Sequence, residues 1–199
     1  MDLSEVQLGV GRNTVREAVR ALVHTGMLEA LQGDGTYVRA ASDFGAAVQR
    51  RLRRAGAMEA YEVRVGLERD AARHAALRRT PQDLAALRAA LAERDAAWDS
   101  EPAGAFVEAD LAFHRTVAAA AHNSVLADLY EHLAGALRFT VQSVVATPAP
   151  DAARHQLDAH LAIVEAIEAG DPDAAEAAVL AHLAEGMETL QSHSGASHE

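Results

Sequence analysis

One carboxylate and three imidazoles stand where a helical protein normally keeps carbon. Phe106, Asp110, Phe113 and Val117 recur at helical spacing, and His114 follows Asp110 by one turn. His160 lies within the stripe of Leu157, Leu161, Val164 and Ile167, and His182 lies beside that of Val179, Leu183, Met187 and Leu190. Small Ala178 and Gly186, one turn to either side of His182, leave room near its ring. An Asp is almost never fully buried without a partner, because desolvating its charge is costly. Converging in a bundle, these four side chains supply one oxygen and three nitrogen donors. That set suits a divalent transition metal such as zinc, nickel or manganese, with water or a ligand carboxylate in any remaining position. The same residues would equally form an Asp–His ion pair beside two satisfied core histidines.

Placement carries this reading, and spacing does not. Asp128 and His132 repeat the Asp-x-x-x-His interval, yet they fall away from the Leu126, Leu129, Leu133 and Leu137 face and read as a solvated pair. His24, His74, His122, His155, His193 and His198 show no comparable convergence.

Catalytic signatures are missing. With no Cys, the chain has no disulfide, thiolate zinc site or cysteine nucleophile. It contains neither the Glu-x-x-His pairs of dinuclear carboxylate bundles nor the His-Glu-x-x-His of zinc peptidases. Asp110, the one acid marked out by its position, is already assigned as a ligand, so the chain reads as a non-enzyme.

A second constellation lies near the front. Arg12, Asn13 and Thr14 open a predicted helix running to Thr25, with Arg16 one turn on. Arg offers a forked donor to guanine edges or phosphates, while Asn and Thr reach bases or backbone. Arg50, Arg51, Arg53 and Arg54 either approach phosphates or form the solvated face of a linker helix.

The elements that must hold these residues follow from the pattern. Leu3 to Leu8 reads as a short helix ending at Gly9-Val10-Gly11. The next helix, with stripe Val15, Ala18, Val19 and Leu22, stops at Gly26. Met27–Leu31 and Thr36–Arg39 read as strands around a Gln32-Gly33-Asp34-Gly35 hairpin loop. Helix, turn, helix, hairpin is the order of a winged helix-turn-helix. Beyond it, helices are predicted near 43–55, 57–79, 82–99, 103–121, 124–146, 151–169 and 172–192. Thr80, Asn123 or Ser124, and Asp171 are candidate caps. The fold class is thus mainly α. A partial winged helix-turn-helix (1–41) precedes an antiparallel all-α bundle of six or seven helices (42–192), with a frayed tail at 193–199.

Composition agrees with this division. Of 199 residues 47 are Ala and none is Lys, and the net charge of −11 is uneven. Residues 1–42 carry −1, residues 43–79 carry +4 and residues 80–199 carry −14, which points to two modules with different partners. No apolar run approaches the roughly 20 residues of a membrane span, and no secretion signal opens the chain. A soluble cytoplasmic protein is expected.

The wording of the front segment, Leu8-Gly-Val-Gly-Arg-Asn-Thr-Val-Arg-Glu-Ala-Val-Arg-Ala-Leu22, then Gly26-Met-Leu-Glu and Gln32-Gly-Asp-Gly-Thr-Tyr-Val38, closely resembles the GntR superfamily of bacterial transcriptional regulators. The resemblance implies operator contacts from Arg12 and Arg16 and a minor-groove wing tip at Gln32 and Gly33. Two departures stand out. The further helix and basic turn that usually precede this segment are missing, so the module is short by about half of its helical core: either translation starts upstream of Met1 or the module is a remnant. Asp34 stands where the family commonly has a basic residue, and a carboxylate there repels phosphate.

Further on, Tyr61-Glu-Val-Arg64-Val-Gly-Leu-Glu68 with Ala71-Ala72, Asp110-Leu-Ala-Phe-His114, His160-x-x-Ile163 and Ala181-His182-Leu183 are similar to the FCD effector domain of the FadR-like branch. That similarity implies Asp110, His114, His160 and His182 as metal ligands. It also implies a small organic-acid effector gripped by the metal and an Arg. Arg64, on a helix with Val63, Val65 and Leu67, is the candidate for that Arg, and a salt bridge to Glu68 is its alternative role. Asn123 either faces the pocket or caps a helix. The expectation is a homodimeric, ligand-responsive regulator on a near-palindromic operator. The alternative is a metal- or ligand-binding module with little DNA affinity.

Overall fold

The computed structural model describes residues 9–38, 43–98, 104–145 and 152–196. The chain divides into two compact units, 1–54 and 55–199. The predicted helix at Leu3–Leu8 lies outside the described residues.

In the first unit, α1 (Arg12–Thr25) is followed by β1 (Leu28–Leu31), β2 (Gly35–Val38) and α2 (Asp43–Arg54). The strands form an antiparallel hairpin pairing Leu28 with Val38 and Leu31 with Gly35. Gly26, at φ 80°, ends α1. Its N–H donates to the Val23 carbonyl and that of Met27 to the Leu22 carbonyl, at 3.0 and 2.9 Å. The predicted stripe of α1 packs less than expected. No residue of the helix is buried, Val15 and Val19 are half-covered, and Leu22 is exposed.

Among its described residues the second unit holds only helices and turns: α3 (Ala57–Arg78), α4 (Pro81–Trp98), α5 (Gly104–Ala120), α6 (Ser124–Val145), α7 (Ala152–Ala169) and α8 (Pro172–Ala196). The helix α8 runs four residues past its predicted end. None of these helices is long and apolar enough to cross a membrane. Leu87, Leu111, Phe113, Tyr130, Leu133, Leu137, Ile163, Ile167 and Leu183 are fully or almost fully buried among rows of alanine. Short side chains bring backbones close, leaving the few large and polar residues to fill the interior.

Side chains of the expected type fix the helix starts. Thr80 and Asp83 form a reciprocal capping box, the Asp83 N–H donating to Thr80 Oγ1 and the Thr80 N–H to Asp83 Oδ2. Asn123 caps α6 by accepting from the Leu126 N–H at 3.3 Å. Asp171 accepts from the N–H groups of Asp173 and Ala174. Between α7 and α8 the chain turns through Gly170 at φ 73°. Bonds from Gly170 to the Ile167 carbonyl and from Asp171 to that of Ala166 close the turn, which makes α7 and α8 a tight helical hairpin.

Gly186 allows the close crossing of α3 and α8. A Cβ there would overlap the hydroxyl and ring of buried Tyr61. The space beside His182 that the sequence left open is therefore filled by a tyrosine. Gly66, also inside a helix, has open space where its Cβ would be. Replacing Gly by Ala inside a helix ordinarily stabilises by up to about 1 kcal/mol. Gly66→Ala should follow that rule in urea unfolding, whereas Gly186→Ala should lose about 1–3 kcal/mol to overpacking.

Candidate functional site

The inward face of α3 is Ala60, Tyr61, Arg64, Glu68, Ala71, Ala72, Ala75 and Ala76, a helical stripe holding two charges. Val63, one of the apolar neighbours of Arg64 along this helix, is half exposed. On α5 the predicted Phe106, Asp110, Phe113, His114 and Val117 are all buried, and Val107 is buried with them. On α7, His160 is buried with Ile163, Val164 and Ile167, while Leu161 turns outward. The side chain of Leu157 lies outside the described residues. On α8, His182 is buried with Val179, Leu183 and Leu190.

The three imidazoles meet. One nitrogen from each of His114, His160 and His182 lies within 4.8 Å of the others. His160 Nε2 stands 3.3 Å from His114 Nε2 and 3.3 Å from Asp110 Oδ1. A tetrahedral ion with bonds of about 2.0–2.1 Å holds its donors about 3.3–3.4 Å apart, so two of the spacings are those of neighbouring ligands. His182 stacks on His114 with ring centres 5.2 Å apart, and both its buried nitrogens lack a hydrogen-bond partner. One of those nitrogens lies within reach of the other two imidazoles, and an ion held there would give it the partner it lacks, where an apolar core would cost the free energy of a lost hydrogen bond. Asp128, by contrast, is exposed on α6.

Around the triad runs a set of buried charges. Glu68 Oε1 accepts from Arg64 Nε at 2.7 Å and from the Tyr130 hydroxyl at 2.6 Å, and Oε2 lies 3.0 Å from His114 Nδ1. Asp110 Oδ1 accepts from Arg94 Nε at 2.8 Å. Arg64 thus makes the salt bridge named as its alternative role. Its Nη2, buried and without a hydrogen-bond partner, is 3.9 Å from Asp110 Oδ2.

These neighbours set the protonation states. Burial pushes Glu68 up, but the Arg64 charge together with His114 and Tyr130 prevails and leaves the carboxyl at about 2. Asp110 is likewise raised by burial, then driven well below the carboxylate range by its hydrogen bond to His160 and by the charges of His114, His160 and Arg94. Burial depresses His160 to about 4 against the opposing pull of Asp110. His182 falls well below the usual imidazole range through burial and repulsion from His160, His114 and Arg64. Ionised Asp110 thus lies against His160 and ionised Glu68 against His114, while His160 and His182 are held neutral near pH 7, the form in which an imidazole ligates metal.

Arg94, Glu68 in its contact with His114, and Tyr130 are the residues sequence reading missed. Arg94 is the largest fully buried side chain among the described residues. It falls on the Leu84, Leu87, Leu91, Trp98 stripe of α4, so the test that singled out His160 would have found it.

In the first unit, Arg12, Asn13, Thr14 and Arg16 are exposed along the opening turns of α1, and Gln32 and Gly33 are exposed at the hairpin tip. Asp34 accepts from the Tyr37 hydroxyl at 2.9 Å, which ties its carboxylate to the hairpin. Arg50 lies over Gly26 rather than on a solvated face, its Nη1 buried.

Residues 5–38 match the model for bacterial regulatory proteins of the gntR family, and residues 59–185 match the FCD domain. A protein of Escherichia coli (strain K12) named as an L-lactate dehydrogenase operon regulator is 32% identical over 190 residues, covering 89% of this chain and 71% of that protein. The HTH-type transcriptional regulator LutR of Bacillus subtilis (strain 168) is 32% identical over 183 residues, with 87% and 82% covered. The solved structure of a Streptococcus agalactiae GntR protein superimposes with a TM-score of 0.60 at 26% identity, covering 92% of this chain and 85% of that one.

Removing Arg94 strands a buried carboxylate, a loss of about 3–5 kcal/mol. Arg94→Ala should show a destabilisation of that order in urea unfolding, whereas Arg138→Ala, which breaks the exposed pair with Glu108, should cost less than about 1 kcal/mol.

Proposed function

The chain belongs to the GntR family of bacterial regulatory proteins and carries an FCD domain, and from that premise we propose that this transcriptional regulator is a metal-dependent sensor of a small organic acid. Its relatives are transcriptional regulators and not enzymes. The observation that carries the metal reading is the junction of His114, His160 and His182, with both nitrogens of His182 unpartnered. Asp110, fixed by Arg94 and touching His160, is the fourth ligand in this reading. Zinc, nickel and manganese all suit three imidazoles and a carboxylate. When bound, the ion supplies Lewis-acid attraction for an anionic oxygen. Arg64 supplies the second grip in this reading: Glu68 holds its Nε, and Nη2, 3.9 Å from Asp110 Oδ2, has no hydrogen bond of its own. The name of the E. coli relative makes L-lactate a rational first probe.

The output is operator binding by a homodimer. Arg12, Asn13, Thr14 and Arg16 enter the major groove of each half-site, and Gln32 and Gly33 meet the minor groove. An effector that favours one arrangement of the dimer shifts DNA affinity by its differential affinity for the two arrangements.

Two measurements test this reading. Zinc at 100 times its Kd should stabilise the wild type by about 2.7 kcal/mol, and His182→Ala should lose most of that shift and its metal content by elemental analysis. Full metal occupancy in the variant would remove His182 from the ligand set. For DNA, the Arg12→Ala, Arg16→Ala double variant should lose operator affinity and show a shallower dependence on salt. Equal, salt-insensitive binding by both proteins would defeat the DNA reading.

A further inference from the structure

An imidazole can face a metal through either nitrogen, and the bond made by the other nitrogen decides which. For His114 two contacts bear on the choice. Its Nε2 lies 3.3 Å from His160 Nε2, which also stands 3.3 Å from the ionised Asp110 Oδ1. The carboxylate favours a proton on His160 Nε2, and two N–H groups would oppose one another across 3.3 Å. His114 Nε2 must then be bare, which puts the proton on Nδ1. Nδ1 is 3.0 Å from Glu68 Oε2, a buried oxygen with no other hydrogen-bond donor. Glu68 is itself held from two helices, by Arg64 Nε of α3 and the Tyr130 hydroxyl of α6, both on Oε1. The two bonds on Oε1 leave Oε2 aimed at His114.

We propose that Glu68 is the positioning residue of the centre, accepting the Nδ1 proton of His114 and thereby presenting the bare Nε2 toward His160 and His182. This rests on the metal reading for its purpose, though not for its test. The arrangement explains why a full carboxylate is buried on an Ala-rich face. It fixes the ring in its donor tautomer before any ion arrives and raises the basicity of the ligating nitrogen.

Metal-free wild type, labelled with ¹⁵N in its imidazoles, should show in alkaline buffer a long-range ¹H–¹⁵N pattern with the His114 proton on Nδ1. Glu68→Gln should shift that population toward Nε2–H, and its zinc Kd should weaken about 10–100-fold by chelator competition. A wild-type His114 protonated on Nε2 overturns the proposal, as does an unchanged zinc Kd in folded Glu68→Gln. If the wild type fails to take zinc, the metal reading falls, and the tautomer of His114 in the metal-free protein still decides the role of Glu68.

Discussion

Charge buried in an alanine-lined interior must be matched on the spot, because an unpaired ion there costs several kcal/mol and the native state is stable by only about 5–15 kcal/mol. Arg64, Glu68, Arg94 and Asp110 meet that demand among themselves, as two cations against two carboxylates. The balance explains the neighbourhood. The carboxyls stay ionised, and burial and the nearby cations keep His160 and His182 from taking up a proton. Two fixed anions beside these imidazoles would offset the charge of a cation held there, as the proposed function requires.

The same network ties the helices together. Glu68 joins α3 to α5 and α6 through His114 and Tyr130, and Asp110 joins α5 to α4 and α7 through Arg94 and His160. Alanine makes this geometry possible. Packed helices with larger side chains would sit too far apart for one carboxylate to touch partners on two neighbours. Tyr61 against Gly186 is the tightest expression of this packing, a large side chain admitted where the facing residue has none.

Much of this was legible in the chain. The seven helices from residue 43 onward, the hairpin and the caps at Thr80, Asn123 and Asp171 follow from local chemistry, which is why they could be read. The four candidate ligands were found because polar residues on an apolar stripe are conspicuous. Arg94 and Tyr130 were not, although Arg94 obeys the same rule. A long cation on a stripe is easily taken for one that reaches solvent, and a Tyr passes for an ordinary core aromatic. Val63, Leu161 and the stripe of α1 err in the opposite direction. An apolar residue on a helix is a weaker guide to burial than a polar one hemmed in by neighbours, since exposed aliphatic side chains are common. Which partner Arg64 would choose was beyond reach, because tertiary packing sets that choice.

The turn at Gly170 bears on how the molecule assembles. Because α7 and α8 close into a hairpin through short-range contacts, His160 and His182 ride on a single local unit that can condense early. His114 arrives from 46 residues away and completes the group only when α5 docks. The late step is therefore the one that converts a two-armed clasp into a closed one, and an ion caught there would act as a latch on the order of folding as well as on the finished bundle.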